Sequence, residues 1–168
     1  IKYLTSKNIR QNKIETKNMI YISEDFHKIN KRSSLRFGDL LMVQSGHIGT
    51  SAVVSEEFEN SNCHALILIR FLKDKINPNY ASYFFNSDMG RRKLSDIFVG
   101  STIKHINTKD IKKFKIPTPS LLLQNGICDK ISSIENQINL YSKQLNKYLL
   151  LRRGISQELL SGCKRVSF

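Results

Sequence analysis

The sequence predicts an α+β domain of several short strands and helices, followed by one long helix that pairs with another helix. Three observations predict it. Short apolar runs bordered by turn residues fill residues 1–118, Pro117 and Pro119 mark a boundary, and an unbroken heptad lies beyond them. At 168 residues the chain has room for one full domain and one appendage, and a 40% hydrophobic content suffices for a core. The expected division is a globular domain at 1–118, a pairing helix at 119–162 and a tail at 163–168.

Along the chain, Leu40-Leu41-Met42-Val43 is an apolar run between Gly38-Asp39 and Ser45-Gly46. Ser51-Ala52-Val53-Val54 follows Gly49, and Ala65 to Phe71 forms a third run. Their length, β-branching and turn-residue borders favour buried strands. Asn77-Pro78 reads as a helix start, with Asn as N-cap and Pro in the first turn. Tyr80, Tyr83, Phe84 and Phe85 supply that helix's apolar face. Gly100 to Asn107 is a polar loop, and Ile111, Phe114 and Ile116 lie in a short segment ending at Pro117.

Thr118 or Ser120 is placed to cap the next helix. Its apolar residues are Ile127, Ile131, Ile134, Ile138, Tyr141, Leu145 and Tyr148, then Ile155 and Leu159. The alternating steps of four and three form a heptad seam with Ile131, Ile138 and Leu145 at a positions. Arg152 interrupts the seam, Leu149 to Leu151 widen it, and Gly162 is a natural stop. A helix of about 40 residues is about 60 Å long, so its stripe is expected to need a partner. The alternative is two shorter helices broken near Gly126 or Gly154.

Charge supplies the first functional direction. The chain has 27 Lys+Arg against 14 Asp+Glu, a net charge of +13. Such a field attracts polyanions, although a Lys-, Asn- and Ile-rich chain is also basic through composition alone. Cys63, Cys128 and Cys163 are far apart, with no C-x-x-C and no zinc-like spacing, so they read as reduced cysteines and no metal is expected. No stretch is apolar for the roughly 20 residues of a membrane span. Residues 1–17 lack a signal peptide's apolar run, and the expected compartment is the cytoplasm of a bacterium or archaeon. Ile1 is no initiator methionine, so the numbering is expected to start inside a longer gene product.

Catalytic motifs weigh poorly. Asn77-Pro78-Asn79-Tyr80 is one residue from the N-P-P-Y loop of adenine N6-methyltransferases. Lys73-Asp74-Lys75 separates it from the preceding run, the chain has no G-x-G, and helix capping already accounts for Asn77 and Pro78. Glu15-Thr16-Lys17 is the only Glu-x-Lys and has no upstream acid to complete a nuclease metal site; no nucleotide-binding loop is present. His47 and His105 have no Ser or Cys partner at a recognisable elbow. His47, in Gly46-His47-Ile48-Gly49, reads either as a turn residue or as DNA-facing. The chain is therefore expected to be non-catalytic.

The basic clusters remain. Arg91, Arg92, Lys93 and Lys104 suit phosphates, for which positive charge within reach suffices. Gln44, Ser45, His47, Thr102 and His105 lie in polar loops and are candidates for base edges, as is Asn107, and Ser101 is expected among the DNA-binding residues. Each is equally placed to satisfy a local turn.

Taken in order, these segments resemble the specificity subunit of type I restriction–modification systems. Phe37-Gly38-Asp39-Leu40-Leu41-Met42-Val43 with Gly46-His47-Ile48-Gly49 is similar to a strand and turn of its target recognition domain. Asn77-Pro78 with Tyr80, Phe84 and Phe85 is similar to that domain's helix. Gly100-Ser101-Thr102 through Ile106-Asn107 matches its G-S-T-x-x-x-I-N loop. Ile116-Pro117-Thr118-Pro119 with Leu121 and Gln124 is similar to the start of the spacer helix, and Leu159-Leu160-Ser161-Gly162 to its end. The family usually has an acidic residue before that Gln, where Leu123 stands here.

The resemblance implies one target recognition domain and one spacer helix, where whole subunits carry two of each. The chain would then be a half-size subunit or the C-terminal half of a longer one. It implies double-stranded DNA as ligand and no cofactor on this chain, with S-adenosylmethionine bound by partner modification subunits and cleavage left to a restriction subunit. It also implies a homodimer, or pairing with the other half of a longer chain, through Ile127 to Tyr148. The competing expectation is a coiled-coil protein adaptor whose charge is incidental.

Overall fold

The computed structural model describes residues 1–72, 74–98 and 105–165. In chain order the elements are β1 (Lys2–Leu4), β2 (Ile9–Arg10), β3 (Lys13–Ile14), β4 (Ile20–Tyr21), α1 (Glu24–Ile29), β5 (Leu40–Val43), β6 (Ser51–Val53), β7 (Asn62–Cys63) and β8 (Leu66–Ile69). Then follow α2 (Pro78–Asn86), α3 (Asp88–Ser95), α4 (Thr108–Lys113) and α5 (Leu121–Leu160). The mixture of short strands and helices ahead of one long helix is the α+β class expected. Contacts divide the chain into two compact units, one ending at Cys128 and one beginning at Asp129.

In the first unit the three apolar runs become β5, β6 and β8, which join in one antiparallel sheet of order β6-β5-β8. Leu41 pairs with Ala52 on one side and Leu68 on the other. All four residues of β5 are buried, because this central strand has a core on each face. With a side-chain period of two, Leu41 and Val43 join Leu4, Ile9, Leu35, Val54 and Phe58. Leu40 and Met42 face Ile67, Ala81, Phe85, Leu94 and Ile106. Two cores thus share one strand.

No sequence pattern announces the N-terminal strands, which are two or three residues long. β1 pairs antiparallel with β4 and parallel with β7, and β2 with β3 forms a hairpin. Elements this short have no periodicity to read.

The Asn77 side chain accepts a hydrogen bond from the Asn79 N–H at 2.8 Å, and Pro78 opens α2. That is the cap expected. α2 buries Tyr80, Ala81, Phe84 and Phe85, while Tyr83 stays half-buried. Ser87 ends α2 and caps α3 by accepting from the Gly90 N–H at 3.1 Å. A Cβ at Gly90 would fall 2.0 Å from the Phe84 carbonyl oxygen, so α3 packs this closely only through glycine.

α5 runs without a break through Gly126 and Gly154, against the alternative of two shorter helices. Ser120, not Thr118, caps it, accepting from the Leu123 N–H at 3.4 Å. Gln124 is fully buried. Its amide donates to the carbonyls of Lys75 (3.0 Å) and Pro119 (2.8 Å), and its oxygen accepts from the Asn77 N–H (2.9 Å). One side chain therefore locks the start of α5 to the start of α2. In the second unit no described residue of α5 is buried; Ile131 is half-buried, and Ile134 (57%), Ile138 (56%), Leu145 (59%) and Tyr148 (66%) are exposed.

Candidate nucleic-acid interface

β5 leads directly into the first group of candidate residues. The Ile106 N–H donates to the Gln44 carbonyl at 3.1 Å, and Ser45 and His105 form an antiparallel bridge. Two loops remote in sequence are thereby joined edge to edge. Ser45, His47 and His105 are exposed, and Gln44 is half-buried.

The turn from Gly46 to Thr50 returns the chain to β6. Gly46 and Gly49 have φ of +81° and +80°, the left-handed region that glycine enters without strain. The Gly49 N–H bonds the Val43 carbonyl at 2.9 Å, and the Thr50 N–H bonds the His47 carbonyl at 3.3 Å. A Cβ on Gly49 would lie 2.7 Å from Leu94 Cδ1. Leu94 of α3 therefore packs on this turn, which brings the helix that carries Arg91, Arg92 and Lys93 against it.

Within α3, Arg91 Nε donates to the Asn86 carbonyl and Arg92 Nε to the Asp88 carbonyl, each at 3.3 Å. Lys93 Nζ lies 5.8 Å from the centre of the Phe84 ring. Arg92 and Lys93 are exposed, and Arg91 is half-buried. Ser101, Thr102 and Lys104 lie outside the described residues.

Sequence reasoning did not attach the β2–β3 hairpin to this place. His47 Nε2 lies 3.3 Å from the Ile9 carbonyl oxygen, a bond for which Nε2 must carry the proton. Asn12, at the hairpin turn, donates its N–H to the Ser51 carbonyl at 2.9 Å. Its side-chain oxygen accepts from Ser82 Oγ (2.9 Å) and Asn86 Nδ2 (2.8 Å). Hairpin, β6 and α2 are thus tied by one amide network. An Asn followed by Lys in a polar stretch was the available hint, and it points to a turn without naming the turn's neighbours.

Several residues singled out by motif have structural roles instead. Asp39 accepts from the Arg36 N–H (2.9 Å) and Arg70 Nε (2.9 Å). The Arg70 guanidinium is held charged beyond its ordinary range, first by its hydrogen bond to Asp39. Asn77 Nδ2 donates to Asn125 Oδ1 at 2.8 Å, so the Asn77 amide caps α2 with its oxygen and ties α2 to α5 with its nitrogen. That leaves the Asn77-Pro78-Asn79-Tyr80 motif to the fold. Among the described residues no cluster of His, Cys, Asp and Glu is arranged to hold a metal, and no helix is long and apolar enough to cross a membrane.

Comparison with known proteins agrees with the order of these motifs. The family model described as "Type I restriction modification DNA specificity domain" matches residues 1–149. The chain is 23% identical to the type I restriction enzyme MjaVIII specificity subunit of Methanocaldococcus jannaschii, over 99% of this chain and 40% of that protein. It is 26% identical to the StySPI specificity subunit of Salmonella potsdam, over 94% of this chain and 34% of that one. The chain thus spans well under half the length of these curated relatives. Among solved structures, the HsdS subunit from Thermoanaerobacter tengcongensis superposes with a TM-score of 0.66 at 18% identity, over 93% of this chain and 42% of that chain. The type I S subunit from M. genitalium gives 0.56 at 19% identity, over 77% and 34%. At these identities the structural likeness is one of fold.

Proposed function

Since the chain belongs to the type I restriction modification DNA specificity family, we propose that it is the sequence-reading part of a type I restriction–modification complex. Its globular domain recognises one half of a bipartite duplex site. The observation that supports this reading is the joining of three sequence-distant segments: the Gln44–Gly49 turn is bridged to His105 and packed on by Leu94 of α3, the helix that carries Arg91, Arg92 and Lys93. Arg91, Arg92, Lys93 and Lys104 take phosphates, which fix register. Gln44, Ser45, His47, Thr102 and His105 meet base edges, and Ser101 contacts the DNA beside them.

The chain itself performs no catalysis and holds no cofactor. Methylation with S-adenosylmethionine belongs to modification subunits that dock on it, and cleavage to a restriction subunit. The complex works in the cytoplasm. The stripe Ile127, Ile131, Ile134, Ile138, Tyr141, Leu145 and Tyr148 pairs antiparallel with a second copy, or with the matching helix of a longer chain. Two identical readers about a two-fold axis demand a symmetric, interrupted site, and the helix length then sets the gap between half-sites.

The test is to reconstitute the chain with modification subunits and map methylated positions by sequencing. A bipartite, symmetric motif is expected. Changing Gln44 or Thr102 should alter the bases within it. A chain with no salt-dependent affinity for mixed duplex DNA would instead be a coiled-coil adaptor.

A further inference from the structure

We infer that the β2–β3 hairpin is a second phosphate-gripping element, flanking the Gln44–Gly49 turn on the DNA backbone; this rests on the reading above. From Lys7 to Asn18 the chain carries four cations, Lys7, Arg10, Lys13 and Lys17, against the single carboxylate of Glu15. All four are exposed. Glu15 is taken up by Arg10, whose Nε lies 3.2 Å from its carboxylate. Among the described residues no carboxylate forms an ion pair with Lys7, Lys13 or Lys17. Like charges gathered in this way repel one another and gain most from a polyanion.

Geometry joins the cluster to the proposed reading turn. Lys7, Arg10, Glu15, Lys17, Asn18 and His47 line one cleft of about 390 Å³. His47 therefore shares a wall with the hairpin cations and is bonded to the hairpin backbone at Ile9.

The hairpin's backbone is stiff beneath its charges. Ile9 is fully buried in the core, and Asn8 donates its amide to the Glu15 carbonyl at 3.1 Å while accepting from the Thr5 N–H at 3.0 Å. Asn12 is held by the amide network already described. A charge array on a fixed backbone loses little conformational freedom on binding.

Arg10 acts as a point charge, not as a reader of bases. Its Nη1 donates to the carbonyls of Lys7 (3.0 Å) and Ile9 (3.1 Å), so the fork that recognises guanine bidentately is turned onto its own hairpin.

The experiment is a titration of the full chain with a mixed-sequence DNA duplex at several salt concentrations from about 50 to about 200 mM. It compares the parent with a Lys7→Ala, Arg10→Ala, Lys17→Ala triple variant. The triple variant should flatten the logarithmic salt dependence by about two to three units and weaken binding at least about tenfold, with the methylation motif unchanged. Glu15→Gln removes the competing carboxylate and should tighten binding a few-fold. Lys28→Ala on α1, already paired with Glu24 and Asp25, should leave the salt dependence where it was.

A parent that binds DNA beside a triple variant with the same salt dependence overturns the hairpin's role alone. A triple variant whose motif changes overturns the backbone role in favour of base reading. A parent that binds no DNA at low salt overturns the proposed function, and the hairpin's role with it.

Discussion

Up to Cys128 the chain packs apolar side chains into closed cores, although Ile29, Leu72 and Leu122 stay exposed; from Asp129 onward no described residue is buried. Leu4, Ile9, Leu35, Leu40, Leu41, Met42 and Leu94 are fully inaccessible, whereas Leu145, Leu150 and Leu160 of α5 are 59%, 70% and 89% exposed. The two regions do not differ in having apolar residues. They differ in where the partner surface comes from. Two cores sharing β5 close the first region on itself. From Asp129 onward the stripe of α5 lies uncovered among the described residues, and in the proposed pairing a partner helix covers it. Each Leu or Ile covered there would contribute about 1.5–3 kcal/mol.

The sharpest way to break this contrast is to make the stripe unpairable. Ile138→Asp with Leu145→Asp sets carboxylates where apolar contacts should form, and desolvating an unpaired charge costs several kcal/mol. Sedimentation equilibrium should show self-association weakened by at least about a thousandfold. The melting of the first unit should hardly move, because neither residue contributes to its core. A parent chain that is monomeric at micromolar concentration would remove the homodimer from the proposal.

The converse change acts on the core. Leu41→Ala empties space in the core that Leu41 shares with Leu4, Ile9, Leu35 and Phe58 and should lower unfolding free energy by about 2–5 kcal/mol, measured by denaturant titration. Helix pairing in the folded fraction should be unaffected. If Leu41→Ala weakened association as strongly as the stripe variant, the two regions would not be independent.

Gln124→Ala lies next in size. It deprives the Asn77 N–H and the Lys75 and Pro119 carbonyls of their partner, at a cost of about 1–3 kcal/mol. Hydrogen exchange should report it first at the Asn77 amide and the first turn of α5. If exchange rose equally throughout α5, Gln124 would govern the whole helix and not only its start.

These variants also show what was legible in advance. The stripe was readable because a heptad repeats over many turns, and β5, β6 and β8 because each is an apolar run between turn residues. β1 to β4 have too few residues for any period, and α3 was hidden by a polar face that buries little beyond Gly90 and Leu94. Of the candidate site, Gln44 to His47 and His105 were named separately, but backbone bonds between remote loops leave no mark in composition. The motif residues were legible for a different reason. Asp39, Asn77 and Gln124 all satisfy backbone groups, so they mark a fold more readily than a base preference.

The smallest effect comes from the cysteines, which sample the contrast without disturbing it. Cys63 and Cys128 are buried and Cys163 is exposed. Burial, aided by the nearby Asp39 charge and opposed by Arg70, pushes the Cys63 thiol from 9.0 up to about 11. The fold therefore favours the neutral thiol, and Cys63 contributes stability that is present below pH 9 and lost as pH rises from 9 toward 11. At pH 8 an alkylating reagent should modify Cys163 at once. Cys63 should react on the order of a hundredfold more slowly or less, only as fast as the first unit opens. Cys128, the last buried residue of α5, decides where the boundary lies. Protection equal to that of Cys63 places the start of the helix in the closed region, and reaction as fast as Cys163 would move the boundary back toward Gln124.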